Sequence, residues 1–255
     1  MPAEIERALV GRSWSAVDVG MSSADVFHFE RGLYLKTVRR VERDRAFGNL
    51  AHERAKLEWL AGKLPVPAVV AFARDESRDY LVLTEVQGRH AAAEAPAPEA
   101  APRLVEALAA ACRSFHGLSP LDCPFDGSVD SLVREAERRV ELGLVDSDNF
   151  DAEHVGREPA ELFRELQGLR PEHEDLVVVH GDLCLPNIIL EGDKLSGFID
   201  VGRVGVSDRW RDLALCARSI EHNWGPPWAG AFLDAYGASP DPGKRAFYLL
   251  LEEFF

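Results

Sequence analysis

The pattern of apolar and polar positions changes near residue 90 and divides the chain into a strand-rich part and a helical part. Before that point, short runs of β-branched and aromatic residues are separated by glycines, which is typical of strands joined by tight turns. These runs predict strands at residues 14–19, 25–29, 33–38 and 80–86. One segment, residues 49–61, places its leucines on a single side and predicts a helix.

After residue 90, apolar residues recur mainly at helical spacing. An alanine- and proline-rich stretch, residues 91–102, predicts a connector. Beyond it, Leu108, Cys112 and Phe115 lie on one face of a predicted helix. Further elements are predicted as strands at 176–179, 188–190 and 195–199, and as helices at 212–221, 228–236 and 243–253. This is an α+β plan with an N-terminal lobe at residues 1–87, containing one helix, and a mainly helical C-terminal lobe at residues 88–255.

Composition narrows the class of protein. The 255 residues are 46% hydrophobic and 28% charged, which is ordinary for a globular enzyme. No apolar run is long enough to predict a membrane span, and the four cysteines have neither metal-ligand nor disulfide-framework spacing. Because no targeting signal is recognised in the sequence, we expect a cytoplasmic protein. The sequence indicates no obligate protein partner.

The charge distribution indicates what the protein binds. A net charge of −14 argues against a nucleic-acid partner, which requires a basic face. Residues 36–63 carry 8 basic and 4 acidic side chains, whereas residues 130–174 carry 13 acidic and 6 basic ones. Such a division suits an anionic cofactor beside the first segment and a cationic substrate beside the second. Solvated helix faces would give the same pattern, so charge alone leaves both interpretations open.

One segment carries the chemistry. His180, Asp182 and Asn187 fit the H-x-D-L-x-x-x-N pattern of a kinase catalytic loop, and Asp200 follows 18 residues after the first aspartate. Phosphoryl transfer requires a carboxylate that accepts the hydroxyl proton, which Asp182 provides, and oxygen ligands for Mg²⁺, which Asn187 and Asp200 provide. The alternative is that these residues form a turn beside a core histidine. The flanking β-type runs favour the catalytic interpretation.

Three segments around this motif resemble the aminoglycoside phosphotransferases, particularly those that modify the 3′-hydroxyl. They are HGDLCLPN, GFIDVGRVGVSDRWRDLAL and the terminal AFYLLLEEFF. That family has the bilobal protein-kinase-like fold, and the resemblance therefore implies a nucleotide-binding lobe at 1–87 and a lobe with the catalytic loop and acceptor site at 88–255. It also implies ATP and Mg²⁺ as cofactors and a cationic aminoglycoside as substrate.

The resemblance assigns roles in the nucleotide site. Lys36 is similar to the lysine that holds the phosphates, and Glu53 to its ion-pair partner. Ser22 and Ser23 match a short loop that covers the phosphates. Glu85 and Val86 match the hinge whose backbone meets the adenine.

The resemblance also assigns an acceptor site, which includes Asp182 itself. The other matching residues are Asn149, Arg203, Arg218, Glu252, Glu253 and the α-carboxylate of Phe255. Four positions that are usually acidic in this family carry Asn149, Ala152, Ser219 and His222 here, which implies a changed preference among aminoglycosides. For Glu252 and Glu253, solvated charges at a helix end are the alternative.

Three functions are compatible with these residues. The resemblance favours an enzyme that phosphorylates the 3′-hydroxyl of aminoglycoside antibiotics and confers resistance. A streptomycin 3″-kinase, or another small-molecule hydroxyl kinase of the same fold, is the nearest alternative. A catalytically inactive binding module is the third, and it is disfavoured because Lys36, Asp182, Asn187 and Asp200 are all present.

Overall fold

The computed structural model describes residues 1–17, 24–40, 49–93 and 95–255. The helices in these ranges are α1 (Ala3–Leu9), α2 (Leu50–Leu60), α3 (Ala101–His116), α4 (Val129–Leu142), α5 (Pro159–Gly168), α6 (Trp210–Trp224), α7 (Pro226–Tyr236) and α8 (Pro242–Glu252). The strands are β1 (Trp14–Ala16), β2 (Asp25–Phe29), β3 (Leu33–Arg39), β4 (Val69–Arg74), β5 (Arg78–Thr84), β6 (Arg89–His90), β7 (Leu176–Val179), β8 (Ile188–Glu191), β9 (Lys194–Phe198) and β10 (Gly205–Asp208). None of the helices in the described ranges is long and apolar enough to cross a membrane.

The chain forms two compact units. The first contains Met1–Arg89, Ile189–Gly192 and Ser196–Gly202, and the second contains the remaining described residues from His90 onward. The segment that carries Asp200 therefore packs with the first unit. The chain passes between the units within β6, β8 and β9, which form a three-stranded sheet with β8 in the centre. The assignment of binding roles to lobes 1–87 and 88–255 stays a prediction.

A five-stranded antiparallel sheet of order β1-β2-β3-β5-β4 forms most of the first unit. The side chains of β3 alternate between the two faces of the sheet. Leu33 and Leu35 are buried with Ile5 and Leu9 of α1 in one apolar cluster. Because successive side chains of a strand point to opposite faces, Lys36 emerges on the other face, where α2 contacts β3, β4 and β5.

The second unit is mainly helical. Helix α6 packs against α7 and α8, α3 packs against α7, and the short antiparallel pair β7–β10 lies beside α3. Leu108, Cys112 and Phe115 form the buried stripe of α3, as the spacing predicts. The apolar stripe of α6 includes Leu213 and Ile220.

Several elements differ from the sequence prediction. The first unit contains α1 as well as α2, so the prediction of one helix in this part is wrong; α1 is a short helix whose signal is only Ile5 and Leu9 at i and i+4. The predicted strand at 80–86 lies at Arg78–Thr84. Of the predicted strand at 14–19, residues 14–16 are in β1 and residues 18 and 19 lie outside the described ranges. Helix α5 and the strands β4, β6 and β10 were also not predicted.

Candidate active site

The predicted catalytic loop follows β7 in the second unit. Strand β7 ends at Val179, and the loop continues through His180 and Asp182 to a single 3₁₀ turn that contains Asn187. The side-chain amide Nδ2 of Asn187 donates to the backbone oxygen of Asp182 at 2.9 Å and to its Oδ2 at 3.1 Å. Two of the predicted residues are therefore in direct contact, and Asn187 fixes the orientation of the Asp182 carboxylate.

A fully buried carboxylate, Asp212 on α6, holds the start of this loop. Its two oxygens accept hydrogen bonds from the backbone N–H groups of His180 and Gly181, both at 2.8 Å. His116 Nε2 lies 3.2 Å from Asp212 Oδ2, and His116 Nδ1 lies 2.7 Å from the Tyr236 hydroxyl. Burial raises the pKa of the Asp212 carboxyl, but the His116 hydrogen bond and charge together with the loop N–H groups outweigh it and hold the pKa below its ordinary value. Asp212 thus stays ionised and fixes the backbone of His180 and Gly181, the two residues that precede Asp182.

Gly181 is required by the geometry of the loop. Its φ is +82°, in the left-handed region that L side chains rarely adopt. A Cβ placed there would lie 2.3 Å from the backbone oxygen of Arg203. The loop therefore passes so close to the Arg203 carbonyl that only glycine fits.

Replacing Gly181 with alanine tests this close approach. We expect Gly181→Ala to lower kcat by at least about tenfold, because relieving a backbone clash of this size displaces the residue next to Asp182, and a misplacement of about 1 Å can cost roughly 10²-fold in rate. Gly192→Ala is the matched control, since Gly192 has φ +65° but no atom within 4 Å of an added Cβ. The measurement is kcat with saturating substrates, with Tm for both variants. Equal effects of the two substitutions would show that only the positive φ matters.

Lys36 lies between two carboxylates in the first unit. Its Nζ is 2.7 Å from Glu53 Oε1 and 2.6 Å from Asp200 Oδ1. Burial lowers the pKa of Lys36, but the two carboxylates outweigh it and hold the pKa above its ordinary value. Burial raises the pKa of Glu53, which Lys36 only partly offsets, and Asp200 raises it further. One cation thus contacts two anions, and the charge of Lys56 also lowers the pKa of Glu53.

Asp200 has an unusual backbone conformation. Its φ is +61°, and among the described non-glycine residues only Arg31 shares a positive φ. Aspartate tolerates this left-handed region better than most residues, yet it still carries a cost. With this backbone conformation the Asp200 carboxylate contacts Lys36, and backbone strain of this kind is commonly found at functional sites.

The predicted hinge follows β5 in the first unit. The backbone N–H of Glu85 donates to the oxygen of Gly32 at 2.9 Å and is thus already used within the unit. For the Val86 N–H, the described ranges contain no hydrogen-bond acceptor. An orphan backbone donor at this position suits a ligand that carries a hydrogen-bond acceptor. The predicted phosphate-loop residues Ser22 and Ser23 lie outside the described residues.

The predicted acceptor residues at the C-terminus are paired within the second unit. Glu252 forms an ion pair with Arg203. The ring of Phe255 lies below the guanidinium groups of Arg203 and Arg139, at 5.7 and 6.0 Å from the ring centroid. The side chain of Glu253 is 5% exposed, and its Oε1 lies 2.5 Å from His154 Nδ1. The alternative of solvated helix-end charges is therefore wrong for both glutamates, because each has a partner within the chain.

The segment of residues 146–157, here called the acceptor loop, contains the remaining predicted residues. Asp151 on this loop forms an ion pair with Arg218 at 2.6 Å, and both side chains are partly exposed. Asn149 is exposed, and its Nδ2 donates to Asp146 at 2.7 Å. The structure therefore places Asp151 beside Arg218, whereas Asn149 contacts only its own loop among the contacts described.

Three of the departures from the family pattern have different surroundings. The Ser219 hydroxyl accepts a hydrogen bond from the backbone N–H of Leu185 at 3.0 Å and thereby anchors the catalytic loop to α6. His222 and Ala152 are exposed. The Ser219 hydroxyl therefore helps to hold the catalytic loop in place.

Sequence reasoning assigned no role to four residues that shape these sites: Asp151, His154, Asp212 and Ser219. Asp212 is the third residue of α6, a helix whose first eight residues are all buried, and a buried aspartate needs strong partners. His154 had no such signal, because its partner Glu253 is 99 residues away.

The donor atoms present fit Mg²⁺. Asn187 uses Nδ2 toward Asp182, which leaves Oδ1 as its acceptor atom, and Asp200 supplies a carboxylate; both are hard oxygen ligands. In the described part of the chain no group of three or more His, Cys, Asp or Glu residues is gathered for a metal ion.

Comparison with known proteins identifies the family of this chain. Residues 16–248 match the model of the phosphotransferase enzyme family (APH). An aminoglycoside 3′-phosphotransferase from Streptomyces fradiae is 42% identical over 265 residues, covering 98% of each chain.

Solved structures show the same fold. A crystal structure of an aminoglycoside-3′-phosphotransferase of type VIII has a TM-score of 0.87 at 40% identity and covers 96% of this chain and 94% of its own. A Streptomyces rimosus aminoglycoside phosphotransferase, in complex with ADP and streptomycin, has a TM-score of 0.85 at 30% identity and covers 98% and 96%.

The chain belongs to the phosphotransferase enzyme family, and the predicted α+β kinase-like fold is confirmed. It is a phosphotransferase similar over its whole length to aminoglycoside 3′-phosphotransferases, such as the one from Streptomyces fradiae.

Proposed function

We propose that this protein transfers the γ-phosphate of ATP to the 3′-hydroxyl of an aminoglycoside antibiotic and thereby confers resistance. The observation that carries the proposal is the full-length similarity, at 42% identity, to an enzyme named for this reaction. The loop that holds Asp182 and the ion pairs of Lys36 supply the chemical groups that phosphoryl transfer requires.

Asp182 acts as the base in this proposal. Its carboxylate, oriented by Asn187, accepts the proton of the attacking hydroxyl and directs the hydroxyl oxygen toward phosphorus. Because the transition state of phosphoryl transfer is loose, positioning contributes more than a strong base does. The three hydrogen bonds that fix the loop, from Asn187 to the Asp182 side chain and from His180 and Gly181 to Asp212, supply that positioning.

Lys36 binds the phosphates of the nucleotide in this proposal, and Glu53 keeps its ammonium directed and charged. Asn187 and Asp200 would hold Mg²⁺, which neutralises charge on the phosphate oxygens when it is bound. The N–H of Val86 donates to the adenine ring, since it has no acceptor among the described residues.

The acceptor site of this proposal lies on the second unit. The exposed carboxylate of Asp151 and its acidic neighbours on residues 130–174 give this surface a negative charge that suits the ammonium groups of an aminoglycoside. Arg218 fixes Asp151, and Arg203 holds Glu252. The protein works in the cytoplasm in this proposal, where ATP and incoming antibiotic are both present.

A panel of aminoglycosides tests the regiochemistry. Kanamycin has a 3′-hydroxyl and tobramycin lacks it, so we expect the purified enzyme with Mg·ATP to phosphorylate kanamycin and to leave tobramycin unmodified. The measurement is a coupled ADP-release assay, with NMR to locate the phosphate on kanamycin. Expression of the protein in a susceptible strain should raise the inhibitory concentration of kanamycin and leave that of tobramycin unchanged.

Streptomycin is the informative comparison in this panel, because a structural relative binds it with ADP. Efficient turnover of streptomycin with none of kanamycin would replace the 3′ proposal with a 3″ activity. An inactive double variant, Asp182→Asn with Lys36→Met, is the control that excludes contaminating kinases.

A further inference from the structure

The start of helix α6 contacts both ends of strand β7. After the strand, the backbone N–H groups of His180 and Gly181 donate to Asp212. Before the strand, the guanidinium of Arg209 lies against the carboxylate of Asp175, with Nη2 3.0 Å from Oδ1 and Nε 2.5 Å from Oδ2. The backbone N–H of Arg209 also donates to the Asp175 oxygen at 3.1 Å. Two side chains three residues apart therefore hold the strand that leads into the catalytic loop.

Two residues of other helices connect Arg209 to Asp212. They are Tyr236, the last residue of α7, and His116, the last residue of α3. Arg209 Nη1 donates to the Tyr236 hydroxyl at 2.9 Å, and that hydroxyl lies 2.7 Å from His116 Nδ1. His116 Nε2 lies 3.2 Å from Asp212 Oδ2 and is the donor, because a carboxylate only accepts hydrogen bonds. These four residues, here called the polar bridge, form one unbroken series of hydrogen bonds.

Burial makes the bridge important to Asp212. The side chains of His116 and Asp212 are 4% and 0% exposed, so water does not compensate the carboxylate. Burial raises the pKa of Asp212, and the hydrogen bond from His116 is the largest of the effects that lower it. Loss of the His116 side chain therefore favours protonation of Asp212. Because a protonated carboxyl is a weaker acceptor, the hold on the catalytic loop weakens.

We propose that His116 and Tyr236 are positioning residues for phosphoryl transfer: they join Arg209 to Asp212, and this bridge holds the strand and the loop that place Asp182. The inference rests on the proposed function, in which Asp182 is the base. Both residues act through Asp212, whose backbone partners directly precede that base. Their loss should consequently affect the rate of transfer more than the binding of either substrate.

Kinetics of His116 variants test the proposal in the full-length enzyme. We expect His116→Phe to lower kcat about tenfold or more, with both KM values within about twofold, because a misplacement of about 1 Å can cost roughly 10²-fold in rate. His116→Gln should restore kcat to within about threefold of the wild type, since its amide can still donate to Asp212. His173→Phe, at an exposed histidine, is the matched control. A normal kcat in His116→Phe, or a His116→Gln variant that is equally slow, would overturn the proposal.

Tyr236→Phe is the milder change, because it keeps the ring and removes only the hydroxyl that links Arg209 to His116. We expect kcat to fall about three- to tenfold, the cost of one hydrogen bond between uncharged groups, with both KM values nearly unchanged. Tyr80→Phe is the matched control, since it removes a hydroxyl that donates to Asp75 at 2.9 Å in the first unit. Equal values of kcat in the two variants would contradict the role of Tyr236.

A double-mutant cycle tests whether the two residues act in series. If Tyr236 acts through His116, then Tyr236→Phe lowers kcat in the wild-type background but changes it by less than about twofold in the His116→Phe background. If the two decreases multiply, the residues act separately and the polar bridge is overturned as a unit.

Hydrogen exchange measures the hold on the loop without any substrate. We expect the amide protons of His180 and Gly181 to exchange about tenfold faster or more in His116→Phe than in the wild type, and at the wild-type rate in Tyr80→Phe. This readout is independent of the reaction. An enzyme that does not phosphorylate kanamycin but shows the faster exchange would contradict the proposed function and support the bridge. Unchanged exchange would overturn the bridge even in an active enzyme.

Discussion

Asp182→Asn is expected to lower kcat by about 10²–10⁴-fold, the range typical for loss of a general base, while Mg·ATP binding persists. Asparagine has the same shape and can still orient a hydroxyl, but its amide cannot accept the proton. The amide of Asn187, which donates to Oδ2 of Asp182, still finds an oxygen acceptor in the variant. The loop should therefore keep its conformation, and the loss should be one of chemistry.

The measurement is single-turnover phosphorylation of kanamycin with the enzyme in excess, together with ATP affinity by calorimetry. Asp193→Asn, in the exposed turn between β8 and β9, is the matched control and should behave like the wild type. Near-full turnover by Asp182→Asn would mean that proton transfer is not part of the rate-limiting barrier. Asp182 would then only orient the hydroxyl.

Much of this fold could be predicted because its elements have strong local signals. Strand β7 begins and ends where the apolar run of valines does, and α2 follows from its single apolar side and from Asn49, whose side chain caps it. The helix α1 and the strand β10 have too few residues for a reliable period. Short elements of this kind are stabilised by tertiary contacts that a local pattern does not contain.

The contacts of the candidate site also include local ones that the sequence predicts and long-range ones that it does not. Asp182 and Asn187 are five residues apart in one loop, so their contact is a local property of the motif. Asp212 contacts that loop from 31 and 32 residues away, and His154 contacts Glu253 from 99 residues away. Only the folded chain shows that these groups meet.

The charges at the terminus show a further reason why sequence alone misleads. Three negative groups at residues 252, 253 and 255 suggest crowding that only a polycationic ligand could relieve. In the structure Glu252 is paired with Arg203 and Glu253 with His154, so the chain itself neutralises most of this charge. The sequence shows how many charged groups there are, but it does not show which groups they pair with in the folded chain.

Asp200→Asn is expected to abolish the dependence of ATP binding on Mg²⁺ and to lower kcat/KM by at least about 10²–10³-fold, the cost of losing one preorganised charge in a catalytic site. Asparagine is the informative replacement because it tolerates the positive φ of +61° at this position, whereas alanine would add strain. The variant therefore removes the charge and leaves the backbone in place.

The Tm of Asp200→Asn should not fall below that of the wild type. Lys36 loses one of two carboxylates but keeps Glu53 at 2.7 Å, so the buried lysine remains paired and the local charge becomes balanced. Lys36→Met is the opposite case, because it leaves the buried Glu53 without its ion-pair partner, and breaking a buried pair typically costs about 3–5 kcal/mol. We therefore expect Tm to be unchanged or higher in Asp200→Asn and clearly lower in Lys36→Met.

Calorimetric titration of ATP, with and without Mg²⁺, measures the predicted difference. In the proposed function Asn187 and Asp200 would hold Mg²⁺, so the wild type should bind ATP more tightly when Mg²⁺ is present. Asp200→Asn should bind ATP equally well in both conditions. The isosteric change tests the charge itself, because the amide oxygen of asparagine is still a possible ligand but carries no full negative charge to offset the cation. If Asp200→Asn kept the tighter binding with Mg²⁺, Asp200 would serve only as a counter-ion of Lys36, and the metal would depend on Asn187 and the phosphates alone.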